Sequence, residues 1–266
     1  MTIKLRERLF WGFFVVATLE IIGIAALVWS TGPGVVGWII SDVAGASPAM
    51  EYITLGAAGL CGLYAMTVSG LVALRSGKTV SVEIFFFSFW AFCQSFELVK
   101  FVSVVLLAKG AGSGSFELVT RIALFGRYGA TMAIFAGSLF SAGLKSERGT
   151  PLFMAILLIS LFFATMHPLN SIGPGIDLLA DRGSMPLAKA FQGALVMLSI
   201  INYGLAWYVG KDRAYLVSAV GMVLCVGAIS VLQTALQIVV LAAVVPVLIA
   251  GTVTYIRSMH AYYLWR

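Results

Sequence analysis

Long apolar runs separated by short polar connections follow one another along the whole chain. Most runs reach about 20 residues, the length that an α-helix needs to cross the hydrocarbon core of a bilayer. The last run, 214–256, is about twice that length, so we divide it near Gln233 into two spans joined by a tight turn. The pattern predicts eight transmembrane helices at about residues 9–29, 52–74, 81–108, 117–144, 152–166, 186–209, 214–233 and 236–256.

The composition supports a membrane protein. Of the 266 residues, 61% are hydrophobic and only 11% are charged, whereas soluble domains carry about 25% charged residues. The fold class expected is therefore all-α, a polytopic helical bundle with one transmembrane domain over residues 1–266. The net charge of +6 resides mainly in the short connections, so it indicates topology and predicts no nucleic-acid partner. Membrane lipids are the expected surroundings.

The distribution of basic residues predicts the orientation. If the N-terminus is cytoplasmic, the inner segments carry 11 of the 17 Lys and Arg residues, as the positive-inside rule requires. Eight spans with both termini in the cytoplasm of a bacterial inner membrane satisfy this count, and a seven-span topology ranks second. The first apolar run contains Glu20 and lacks a clear cleavage site, so we interpret it as an uncleaved span. The apolar piece 35–43 is expected at the interface.

Charged residues inside the apolar runs are the candidate functional residues. Each costs about 2.5–3.5 kcal/mol at a helix centre and is usually buried against a partner. An antiparallel hairpin of the third and fourth spans places Glu97 at nearly the depth of Arg127, which predicts an ion pair between them. Glu20 is expected to neutralise Lys100 or to share Arg127. The full candidate cluster is Glu20, Gln94, Glu97, Lys100, Arg127 and Tyr128.

Three interpretations of this cluster remain open from sequence. It can be a structural ion-pair cluster that fixes the helix register. It can instead be a proton or cation site at Glu20 or Glu97, or a site where Lys100 and Arg127 recognise an anionic or zwitterionic ligand such as a lipid headgroup.

Further polar side chains and the aromatic residues have less specific expectations. Hydrogen bonds between helices are the main expectation for Asn202, Gln233 and Gln237. The phenylalanines of the third span, among them Phe85, Phe86 and Phe89, are expected to meet lipid or neighbouring helices.

The sequence offers little for catalysis or metal binding. His167 and His260 are predicted at opposite membrane faces and cannot share one metal ion. A site made by His167 with Asp177 and Asp181 is conceivable, but the two carboxylates at i,i+4 more simply indicate a solvated helical turn. The three cysteines lie in apolar runs without a CxxC spacing, and no HExxH, GxSxG or Walker motif occurs. We therefore predict no enzyme, metal or cofactor.

The functional prediction is a non-enzymatic inner-membrane protein that acts as a sensory or structural subunit of a larger membrane assembly. A protein partner or a homo-oligomer is expected because the loops are short and the chain ends about ten residues after its last span. The alternative is a small ion- or proton-coupled transporter or channel, or a lipid-binding protein, that uses the same buried charges. A broken helix or a polar cavity at mid-depth would favour this alternative. A dry ionic cluster with an apolar flank would favour the subunit.

Overall fold

The computed structural model describes residues 2–31, 48–75, 81–175, 177–234 and 237–264. Eight of its helical segments are long and apolar enough to cross a membrane, which confirms the predicted all-α bundle. The expected interfacial piece 35–43 lies outside the described residues. The helices are α1 Ile3–Thr31, α2 Pro48–Arg75, α3 Val82–Cys93, α4 Val99–Ala108, α5 Ser113–Ser141, α6 Gly149–Met166, α7 Met185–Gly210, α8 Arg213–Gln233 and α9 Ile238–Leu264.

Successive spans run antiparallel. Arg121, near the start of α5, donates a hydrogen bond of 2.9 Å to the carbonyl of Ala164 at the end of α6. Ser258, late in α9, donates one of 2.6 Å to the carbonyl of Ala214 at the start of α8. The start of α1 and the end of α9 therefore share one membrane face, here called the N-terminal face. The opposite face is called the distal face.

The third span lies at the centre of the bundle. Every residue of α3 is buried. Phe85 packs against Phe10 of α1 and Phe153 of α6, with ring centroids 5.8 and 5.3 Å apart. Phe86 stacks on Phe140 of α5 at 5.5 Å. Of the two surroundings expected for these phenylalanines, neighbouring helices are the one that the structure shows.

The third span is not the continuous helix that its length suggested. A 3-10 segment, Gln94–Leu98, separates α3 from α4. This difference was not predictable from the sequence because the mean hydropathy of a span is the same in either helix type. In a 3-10 helix, residues at i and i+3 eclipse one another, so the segment aligns Gln94 and Glu97 along one edge, and Lys100 follows in the first turn of α4.

The connection between α6 and α7 contains a β-hairpin. Strand β1, Leu169–Pro174, pairs antiparallel with β2, Ala180–Arg182. The hairpin is attached to α5, because the amide of Ala180 donates a 2.8 Å hydrogen bond to the hydroxyl of Thr120. The helical turn expected around Asp177 and Asp181 was therefore wrong. Prolines and glycines on both sides of these residues disfavour a helix, whatever the spacing of the charges.

Candidate ligand-binding cavity

An ionic triad is formed by Glu97 of the 3-10 segment, Lys100 of α4 and Arg127 of α5. The Nε and Nη2 atoms of Arg127 donate to the two carboxylate oxygens of Glu97 at 2.6 and 2.9 Å. The Nζ atom of Lys100 lies 2.8 Å from Oε2 of the same carboxylate. Glu97 and Lys100 are 2% and 1% exposed. The predicted contact between Glu97 and Arg127 is thus formed, and two cations share one buried carboxylate.

Glu20 does not join this triad as the sequence suggested. Its carboxyl group interacts with Ser95 of the 3-10 segment, and its Oε2 atom is buried without a hydrogen-bond partner among the described residues. Ser95 precedes Glu97 by two residues and so lies on another face of a helix with three residues per turn. Hydropathy indicates the depth of a charge in the membrane but not the side of the helix it faces.

A cavity of about 910 Å³ lies at the distal side of the triad. Its lining comes from the 3-10 segment, α5, α7, α8 and the β-hairpin, with Thr54 of α2 and Trp90 of α3. Both polar and apolar side chains line it. The charged lining residues are Arg127, Asp177, Asp181, Arg182 and Lys189, and the apolar ones include Leu124, Met185, Val196, Val226 and Ile229.

The inner part of the cavity is ordered by hydrogen bonds between helices. Gln94 donates to the carbonyl of Trp90 at 3.0 Å and accepts from Gln233 of α8 at 3.3 Å. Gln233 thus makes the interhelical bond expected of it.

The other two polar residues with this expectation lie outside the cavity lining. Asn202 donates an interhelical hydrogen bond of 2.9 Å to the hydroxyl of Ser138 on α5. Gln237 lies just before α9, where its carbonyl accepts the amides of Val240 and Leu241 at 3.2 and 3.3 Å.

Tyr128 contacts a histidine instead of the triad. Its hydroxyl lies 2.9 Å from Nδ1 of His167. His167 is 6% exposed, and its Nε2 atom is buried without a hydrogen-bond partner among the described residues. Burial, and then the charges of Arg182 and Arg121, lower the pKa of His167 from its usual value. The neutral imidazole is therefore the form present at pH 7.

The hairpin contributes a second ion pair, between Arg182 and Asp177. Burial, followed by repulsion from Arg127, lowers the pKa of Arg182. Among the described residues, no group of three His, Cys, Asp or Glu side chains is placed to hold a metal ion.

The sequence did not indicate three of the cavity residues, His167, Arg182 and Lys189, as members of one site with Arg127. They come from the α6–α7 connection and from the first turns of α7. No spacing links them to α5, and their approach depends on the β-hairpin. The only signal was the concentration of charged residues in an otherwise short-looped protein.

Comparison with known proteins adds no relative from which a role could be transferred. No protein-family model matches the chain, and neither a curated protein nor a solved structure gives a significant match.

Proposed function

We propose that this membrane protein is a non-enzymatic receptor subunit that binds a small organic molecule in the cavity at its distal face. The observation that carries the proposal is the cavity itself, which reaches from the β-hairpin to the guanidinium of Arg127. Large concave sites with a few convergent polar groups are the usual form of ligand sites. Under this proposal the triad does more than fix the helix register. It holds Arg127 in place at the cavity wall, because Arg127 belongs to both the triad and the lining.

A sensory role is favoured over transport by the asymmetry of the third span. The cavity reaches Gln94 of the 3-10 segment and Trp90 near the end of α3, whereas the earlier part of α3 is buried and packs against aromatic rings of α1 and α6. Such packing closes the route to the N-terminal face. The proposed location is a bacterial inner membrane with the cavity on the outer face, on the basis of the basic-residue count. A signal would then pass to a partner protein or to a second copy in the membrane.

Transport is the second candidate, and one observation favours it. Broken helices near the middle of the membrane are common at the substrate sites of transporters, and the third span is interrupted at Gln94–Leu98, beside the cavity. Under this proposal, rearrangement of the 3-10 segment would open the cavity towards the N-terminal face.

Native mass spectrometry of a cavity-filled variant tests ligand binding. Gly193 lines the cavity, and a Cβ added there meets no atom within 4 Å. Gly193→Trp should therefore fill the cavity without displacing the backbone. Gly204→Trp is the matched control, because Gly204 lies on the same helix, has the same open space and does not line this cavity.

We expect a small molecule to remain bound to the wild type and to Gly204→Trp, and to be lost from Gly193→Trp. Equal retention by all three proteins, or retention by none, contradicts the proposal. Uptake of the identified molecule into proteoliposomes then separates the two candidates. Binding without uptake supports the receptor, and uptake supports the transporter.

A further inference from the structure

We propose that the cavity binds the anionic group of an amphiphilic molecule at a subsite formed by His167, Arg182 and Arg127. The apolar part of the ligand would lie along Val196, Val226 and Ile229. The inference rests on the proposed function and names the class of its ligand. The chemistry recognised is a phosphate or carboxylate joined to a short apolar chain, whether it belongs to a membrane lipid or to a free organic anion.

The charge of the cavity wall favours an anion. Its lining contains three cationic side chains, those of Arg127, Arg182 and Lys189. It contains two carboxylates, those of Asp177 and Asp181. Behind Arg127, the charges of Glu97 and Lys100 cancel one another, so the wall keeps one positive charge in excess. Charges in a medium of low dielectric constant interact strongly, and an anionic ligand would complete the balance.

His167 supplies an independent indication of a ligand. The hydroxyl of Tyr128 and Nδ1 of His167 share a hydrogen bond whose direction depends on the tautomer of the ring. We assign the tautomer in which the hydroxyl donates to Nδ1, which places the hydrogen of the ring on Nε2. That atom is buried without a partner among the described residues, in a side chain that lines the cavity. Buried donors are rarely left unpaired, and an anionic oxygen would accept this hydrogen bond.

The arginines have donors to offer beside the histidine. The bidentate contact with Glu97 uses Nε and Nη2 of Arg127, so Nη1 is not engaged by that carboxylate. Arg182 contacts Asp177 through Nη2. Guanidinium groups bind carboxylates and phosphates through several parallel N–H donors. The three residues therefore form a region rich in hydrogen-bond donors. Glu97 and Asp177 accept from the two arginines, and neither of them accepts from His167.

The apolar part of the cavity lining fits an apolar chain. Val196 lies on α7, and Val226 and Ile229 lie on α8, next to the polar region. A ligand with a charged group at one end and an apolar chain at the other would satisfy both walls at once. A small inorganic anion would leave the apolar wall uncovered.

Isothermal titration calorimetry on the purified protein in dodecylmaltoside micelles tests the assignment. The probes are octyl phosphate, octyltrimethylammonium and inorganic phosphate. The first two differ in the sign of their charge, and the first and third differ in the presence of an apolar chain. We expect octyl phosphate to bind at least about tenfold more tightly than octyltrimethylammonium, a difference of about 1.4 kcal/mol. His167→Phe keeps a ring but removes the donor and should weaken octyl phosphate binding about tenfold.

Lys189→Gln keeps the test decisive if the histidine variant does not fold. Lys189 is exposed at the cavity and can be neutralised without disturbing the core. Lys189→Gln should weaken octyl phosphate binding several-fold. Lys145 is an exposed lysine at the N-terminal face, and Lys145→Gln should leave this binding unchanged.

The outcomes separate recognition of the anionic group from recognition of the apolar chain. Octyl phosphate binding without inorganic phosphate binding supports an amphiphile such as a lipid. Equal binding of both supports the anionic subsite and overturns the role of the apolar wall. Preference for octyltrimethylammonium, or no binding of any probe, overturns the anionic subsite. If native mass spectrometry still finds a molecule that Gly193→Trp loses, the receptor proposal survives this failure.

Discussion

At the scale of single residues, the triad has two cations and one carboxylate. Neutralising the carboxylate should therefore lower the free energy of unfolding more than neutralising Lys100. Glu97→Gln leaves Lys100 and Arg127 buried without a counter-charge, and breaking a buried pair in this way costs about 3–5 kcal/mol. Lys100→Met leaves the bidentate pair of Glu97 and Arg127 intact, so it should cost much less. Unfolding in mixed micelles measures both free energies.

The same measurement tests the coupling within the triad. Adding Arg127→Gln and Lys100→Met to Glu97→Gln should recover much of the lost stability, because no charge is then left unpaired. Strictly additive losses would show that the three side chains do not act together. A cost for Lys100→Met equal to that for Glu97→Gln would also contradict the arrangement.

A second residue-scale prediction concerns pH. The pKa of His167 is lowered in the folded protein, so between that pKa and about 6.5 the unfolded chain binds more protons. Its contribution to stability is therefore complete above about pH 6.5 and is lost as the pH falls below that value. His167→Gln should lower the melting temperature at pH 7.5, and the difference from wild type should narrow towards pH 5. A difference that stays constant with pH would contradict the neutral buried histidine.

These residues also show how far sequence reasoning reaches. The contact of Glu97 with Arg127 was predictable because both charges interrupt apolar runs and a hairpin brings them to one depth. The position of Glu20 was not, because depth does not determine which face of the helix it occupies. His167 and Arg182 were missed as site residues because the fold of the connecting hairpin, and no local spacing, brings them to the cavity.

At the scale of elements, the membrane itself explains why the eight spans were predictable. Bilayer thickness sets the length of an apolar helix, so most predicted boundaries lie within a few residues of the observed ones. The 3-10 segment had no comparable signal. Its position depends on packing against Gly126 of α5, where an added Cβ would lie 2.6 Å from Cβ of Phe96 and 2.8 Å from the carbonyl oxygen of Cys93.

This close approach gives a prediction for the glycines of α5. Gly126→Ala should destabilise the protein by about 1–3 kcal/mol, the usual cost of overpacking, because backbone as well as side chain must move. Gly129→Ala should cost less, since its Cβ would meet the Sγ atom of Cys93 at 3.2 Å. Gly114→Ala, with no atom within 4 Å, is the control and should be neutral or stabilising. Thermal unfolding ranks the three, and an equal effect of all three variants would contradict close packing at Gly126.

At the scale of the whole molecule, alternation of the eight spans places the cavity and the start of α1 at opposite faces of the membrane. The start of α7, the end of α8 and the β-hairpin line the cavity together with the middle of α5. Arg75 and the basic connections 145–148 and 211–213 belong to the N-terminal face by this alternation. If that face is cytoplasmic, the proposed ligand would reach the cavity from outside the cell.

Cysteine labelling tests this orientation. Ser113 and Ser146 are exposed at opposite ends of the span formed by α5, and the native Cys61, Cys93 and Cys225 are buried and should react little. In spheroplasts, Ser113→Cys should react with an impermeant maleimide, whereas Ser146→Cys should react only after permeabilisation. The reverse pattern would keep the fold and place the cavity in the cytoplasm, so that its ligand would be an intracellular molecule. Labelling of both cysteines from outside would contradict a membrane span between them and, with it, the alternation on which the position of the cavity depends.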